Sequence, residues 1–113
     1  MSLQLHKLAL KAKLFRGLGD STRLFILEEL REGEKTTTEI VNETGQGQSN
    51  VSNHLACLLD CGLVQNRRQG KNIFYRISNK KVSKLLEESD AILSDIARGI
   101  YECVNYNEES RKR

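Results

Sequence analysis

Thr36-Thr37-Thr38-Glu39-Ile40-Val41-Asn42-Glu43-Thr44-Gly45-Gln46-Gly47-Gln48-Ser49-Asn50-Val51-Ser52-Asn53-His54-Leu55 carries two helix signals separated by a glycine-bearing turn. Thr36 and Glu39 have the spacing of a capping box, in which each side chain satisfies the other residue's free backbone N–H. This predicts a short helix with Ile40 and Val41 inward, ending near Gly45. After Gly47, the apolar residues Val51, Leu55, Leu58 and Leu59 fall on one face of a helix from Ser49 to Cys61. A short helix, a tight turn and a second helix make a helix-turn-helix. In that motif the second helix enters the major groove, with its first residues on base edges.

Toward the N-terminus, Leu8, Ala12 and Phe15 predict a first helix over residues 3–17, broken by Gly17 and Gly19. Asp20 is an N-cap for a second helix from Ser21 to Arg31, with Leu24, Leu27 and Leu30 as its apolar stripe. Toward the C-terminus, Gly62 ends the recognition helix. Leu63–Arg68 and Ile73–Ile77 read as strands around the hairpin tip Gln69-Gly70-Lys71-Asn72. A long helix from Asn79 to about Val104 carries Val82, Leu85, Leu86, Ile92, Leu93, Ile96 and Ile100. That stripe is longer than a small domain can cover, which predicts a homodimer. The expected architecture is mainly α with a small β-hairpin: a homodimeric winged helix-turn-helix in the order α-α-α-α-β-β-α. Residues 1–104 form the DNA-binding and dimerisation domain, and residues 105–113 a loose polar tail.

The totals agree with this reading. The chain has 113 residues, 38% hydrophobic and 29% charged, which suits one globular domain. No tryptophan and few aromatics exclude a base-stacking platform. A net charge of +3 is mild, so the placement of charge matters more than its sum. No apolar run suits a membrane span, and no signal-peptide pattern opens the chain. Three cysteines, an odd number, argue against a disulfide framework and for reduced thiols in the cytoplasm. No phosphate loop or nucleophile–base set points to an enzyme.

The start of the recognition helix offers Gln48, Ser49, Asn50, Ser52, Asn53 and His54, none of them acidic. Asn and Gln suit adenine edges, and Ser suits base or phosphate. Arg67, Arg68 and Lys71 make the hairpin a basic wing for the DNA backbone or minor groove. Taken singly, each feature also describes a solvated cap or a charged edge strand. Their order along the chain gives them weight, and the expected partner is double-stranded operator DNA with an inverted repeat.

Cys57 and Cys61 stand four apart on that same helix, so both thiols leave one face. Two readings stay open from the residues alone. They are small buried hydrophobes, or they are thiolate ligands for a soft metal ion. Cys103 lies near the end of the last helix, beside its apolar stripe.

Ser49-Asn50-Val51-Ser52-Asn53-His54-Leu55, then Leu58, then Gly62-Leu63-Val64, resembles the recognition helix and wing of the ArsR/SmtB family. Asp20-Ser21-Thr22-Arg23 with Ile26-Leu27, and Gly70-Lys71 with Phe74-Tyr75, resemble its second helix and its wing. The likeness covers residues 10 to 100 and implies a homodimeric repressor of metal-resistance genes. Cys57 and Cys61 are similar in placement to the ligands of the cadmium/lead-sensing, CmtR-like branch. That branch takes a third ligand from the C-terminal region of the partner, here Cys103. The inducer so implied is cadmium or lead, with zinc or arsenite as alternatives. A thiol-redox signal on the same fold is a further alternative. The family's other metal sites lack residues here: Thr37-Thr38-Glu39-Ile40-Val41 has no cysteine pair, and the last helix has Asp90 and Asp95 but no histidine.

Overall fold

A computed structural model of the chain describes the backbone of residues 3–111 and the side chains of residues 3–100. The chain forms two compact units that divide between Val82 and Ser83. The first unit holds helices α1 (Leu3–Leu18), α2 (Ser21–Leu30), α3 (Thr37–Thr44) and α4 (Gln48–Asp60). It also holds strands β1 (Lys35–Thr36), β2 (Val64–Gln69) and β3 (Asn72–Ile77).

Gly17 does not break α1 as expected but lies buried inside it. A Cβ at this position would meet Cys61 Sγ at 2.9 Å and Leu63 Cδ1 at 3.1 Å. The glycine therefore lets α1 approach the end of α4 closely, which outweighs its poor helix propensity. The Asp20 carboxylate accepts from the Arg23 backbone N–H at 3.0 Å and caps α2 as expected. The apolar face of α2 differs from the stripe read from Leu24, Leu27 and Leu30. Ile26, Leu27 and Leu30 are buried, and Leu24 is an exposed hydrophobic. At 3.6 residues per turn, residues 26, 27 and 30 cluster within about 100° of the helix circumference and residue 24 falls beside that arc.

The capping box of Thr36 and Glu39 is present in both directions. Gly45 ends α3 in the left-handed region at φ 68°, a conformation that favours glycine. Ile40 is buried and Val41 half-buried. α4 starts at Gln48, and Cys61 is its C-cap rather than a helical residue.

The expected hairpin is two strands of a three-stranded antiparallel sheet, in the order β1-β3-β2. β1 pairs Lys35 with Tyr75 and Thr36 with Phe74. Two residues carry too little alternation to be read as a strand. In the hairpin, Gln69 faces Asn72, which leaves Gly70 and Lys71 as the turn, with Gly70 at φ 62°. Ile26, Leu27, Ile40, Val51, Leu55, Leu58 and Leu63 form the fully buried core. It clamps α4 against α2 and α3, so the polar edge of α4 has a rigid backing.

α5 (Lys80–Arg111) crosses into the second unit. Residues 105–111, expected to be a loose tail, continue the helix, and none of them is glycine or proline. Leu86 is buried, whereas Ile92, Leu93, Ile96 and Ile100 are exposed. Among the described residues, no helix is long and apolar enough to cross a membrane.

Candidate nucleic-acid interface and thiol site

Gln48, Ser49, Asn50, Ser52 and Asn53 are all exposed along the opening turns of α4. Gly47 provides no side-chain cap. The free N–H groups and positive end of the helix dipole are therefore left for an external acceptor. The preceding turn is fixed from behind. Gln46 Nε2 donates to Thr22 Oγ1 at 2.8 Å, and Asn50 donates to Gln46. Gln48 and Ser52 face a cleft of about 350 Å³ that Lys71, Asn72 and Ile73 line from the wing. Thr36, Thr37 and Thr38 line it from the start of α3.

His54 is placed differently. Its side chain is 17% exposed, with Nδ1 3.8 Å from Asp20 Oδ1 and 3.4 Å from Arg23 Nη1. On the helical wheel it flanks the buried Val51 and Leu58, on the side of α4 that faces Asp20 and Arg23 at the start of α2. Sequence order puts it with the base-reading candidates; its burial beside Asp20 and Arg23 separates it from them, although Asn50, four residues earlier, lies on the same side of α4.

The three basic wing candidates also divide. The Arg67 guanidinium grips the Glu34 carboxylate, with Nε 3.0 Å from Oε2, and lies 4.4 Å over the Phe74 ring. Arg67 holds the Glu34 carboxyl below the usual carboxylate range. Its charge is thus matched within the chain and its position fixed. Arg68 and Lys71 are exposed and stay available to phosphates. Nothing in the sequence flags Glu34, because only the sheet brings it to Arg67.

Cys57 and Cys61 are free and half-buried. The Cys61 thiol donates to the Lys13 carbonyl at 3.6 Å. Burial first, and then the neighbouring Cys57, pushes the Cys61 thiol above its ordinary pKa. The Lys13 ammonium, 3.1 Å from Asp60, acts the other way and is outweighed. The sequence shows no cation beside this cysteine; α1 brings one. A thiol held protonated is a poor redox sensor, since oxidation proceeds through thiolate. Any ion bound at Cys61 must displace that proton. Between about pH 6 and 8 its apparent affinity should therefore rise about tenfold per pH unit for each thiol proton released. Competition titrations at three pH values check this; a pH-independent affinity contradicts it.

Among the described residues no group of three or more His, Cys, Asp or Glu side chains converges on one point. Asp60 is exposed and paired with Lys13. The side chain of Cys103 lies outside the described residues.

Residues 20–66 match the model of the bacterial regulatory protein arsR family. The chain is 37% identical over 102 residues to a probable mercury resistance operon repressor of Streptomyces lividans, covering 90% of this chain and 82% of that one. It is 38% identical to the transcriptional regulator CmtR of Mycobacterium bovis, covering 68% of this chain and 65% of that one. Among solved structures, the homodimeric winged helix-turn-helix DNA-binding domain of a Mycobacterium bovis regulator superposes with a TM-score of 0.79 at 28% identity. That match covers 84% of this chain and 88% of the other. With its winged helix-turn-helix and relatives that are transcriptional regulators rather than enzymes, the chain belongs to the ArsR family of bacterial regulatory proteins.

Proposed function

We propose that this protein is a cytoplasmic homodimeric repressor that binds an inverted-repeat operator and releases it when a soft heavy-metal ion binds Cys57, Cys61 and Cys103. One observation carries the reading: two free thiols stand at the C-terminal end of the helix whose opening turns present the exposed polar row. The mercury-resistance relative and the resemblance to cadmium/lead sensors support a metal signal. Thiolates favour soft ions, so cadmium and lead lead the panel, with mercury, zinc and arsenite beside them. The two described thiols fit such an ion as an incomplete donor set. Cys103, from the same chain or a second copy, would supply the third sulfur. A bound ion would contribute strong bonds to sulfur and replace the thiol protons.

Gln48, Ser49, Asn50, Ser52 and Asn53 then read or approach bases, while Arg68 and Lys71 hold the backbone. Arg67 shapes the wing, and His54 seats α4 on α2. Metal and DNA would oppose each other with a coupling of about 1–3 kcal/mol, and DNA must weaken metal binding by the same factor. The test is titration of each ion into a complex with a labelled duplex selected by the protein from a random pool. Release by cadmium or lead at stoichiometric levels is expected; no release by any of the five ions defeats the proposal.

The two DNA-contacting elements should separate in a salt series. Ser52→Ala or Gln48→Ala should cost about 1–3 kcal/mol on the selected duplex if either side chain pairs with a base, and little on random DNA. Arg68→Ala or Lys71→Ala should weaken both duplexes alike and lower the salt slope by about one each. Binding isotherms at several salt concentrations distinguish the patterns. Wing variants that alter sequence preference would reverse the assignment.

A further inference from the structure

Arg23 joins α1 to the recognition helix. Its Nε donates to the Gly17 carbonyl at 2.8 Å and its Nη2 to the Arg16 carbonyl at 2.8 Å. Its Nη1 lies 3.4 Å from His54 Nδ1. The two carbonyls belong to the last turn of α1, where intrahelical donors run out. The same turn is held from the other side by the end of α4. Cys61 Sγ donates to the Lys13 carbonyl, Asp60 pairs with Lys13, and Gly17 sits against Cys61 with no room for a Cβ. The contacts close a ring: from Cys61 to the end of α1, from there through Arg23 to His54, and along α4 back to Cys61. His54 is about two turns ahead of Cys61 on α4, immediately behind the exposed polar row.

We propose that Arg23 is a positioning residue that sets the seat of the recognition helix by tying His54 to the end of α1, so that displacing α1 at the Gly17–Cys61 contact disturbs DNA reading. The planar guanidinium suits this role, because its fixed fork donates to two carbonyls and holds Nη1 beside the His54 ring, where Nδ1 accepts in the Nε2–H tautomer. A lysine at the same place supplies one point of attachment. If Arg23 only capped α1, its loss would lower stability without linking the two ends of α4. The inference borrows from the proposed function only the statement that α4 reads DNA; the metal plays no part in it.

Gly17→Ala is a wedge at one end of the ring, and Arg23→Lys opens the other. Both are measured without metal on the duplex selected by the wild-type protein, with thermal melts and circular dichroism run in parallel. Gly17→Ala should keep the helical signal and weaken duplex binding about tenfold, and adding Cys61→Ala, which relieves the 2.9 Å clash but gives up the thiol's bond to the Lys13 carbonyl and leaves Leu63 Cδ1 at 3.1 Å, should restore only part of it. Arg23→Lys should weaken binding by a similar factor, and Gly17→Ala should add little to it, because both break one ring. If Arg23→Lys fails to fold, His54→Ala takes its place in the same cycle. Wild-type affinity for Arg23→Lys, or losses that multiply in full in the double variant, would overturn the proposal. If cadmium, lead and the other ions fail to release the wild-type protein, the proposed function falls while this metal-free result stands by itself.

Discussion

Cys57→Ser and Cys61→Ser should each keep operator binding within about threefold of wild type and lose the response to cadmium, taking a coupling factor of about 5–150 to one. The half-buried positions of both thiols make the first expectation. Serine is close in size, and at position 61 its hydroxyl can still donate to the Lys13 carbonyl that now accepts from the thiol. The second expectation rests on chemistry: a hydroxyl does not ionise near neutral pH and is a hard, weak ligand for a soft ion. Cys103→Ser should behave differently. The Cys57/Cys61 pair survives, so some metal binding remains, while the link to the rest of the assembly is lost and with it most of the coupling. Mixed dimers then locate the third sulfur. A chain lacking Cys57 and Cys61, paired with a chain lacking Cys103, retains one complete site only if ligands are shared between copies. Absorbance of the metal–thiolate bond and anisotropy of a labelled operator read the two effects separately. Complete cadmium-driven release by a protein without Cys57 and Cys61 would refute the thiol site.

The features legible in the sequence are those with short-range signals. Capping residues placed the starts of α2 and α3: Asp20 accepts from the Arg23 N–H, and Thr36 and Glu39 satisfy each other. The apolar periodicity of α4 was enough to bring out its polar edge, because Val51, Leu55 and Leu58 fix which way the helix faces. Illegible features depend on residues distant along the chain. Gly17 reads as a helix breaker until Cys61, far away in sequence, is seen against it. Arg67 reads as a free charge until β1 and β3 pair and the preceding Glu34 reaches its guanidinium. His54 belongs by sequence to the base-reading run but by its burial to the α2 side, beside Asp20 and Arg23. The thiol site shows the same division. Spacing puts Cys57 and Cys61 on one face, but the burial that keeps Cys61 protonated, and the Lys13 charge that opposes it, come from the tertiary fold.

Ile96→Glu should convert the protein to a monomer at micromolar concentration and abolish high-affinity operator binding. Ile92, Leu93, Ile96 and Ile100 stand 59%, 64%, 52% and 60% exposed on α5, a run of large aliphatic side chains left in water by the single chain. Residues 92, 96 and 100 recur at four-residue spacing, so they share one face of the helix. The solved homodimeric neighbour makes a second copy the natural cover for that face. In a twofold interface one substitution is counted twice. Losing the burial of two isoleucines, at about 1.5–3 kcal/mol each, weakens association by about 3–6 kcal/mol. That corresponds to a dimer dissociation constant raised about 10²–10⁴-fold, before the cost of burying two carboxylates is added. Operator affinity falls further than one half-site contact would suggest, because the link between two recognition helices supplies the effective concentration for the second half-site. Sedimentation velocity across a concentration series reads the first effect, and binding to full and half operators reads the second. Ile96→Leu, which keeps the apolar surface, should remain dimeric. A dimeric Ile96→Glu protein with wild-type operator affinity would show that this face of α5 is not the dimer interface.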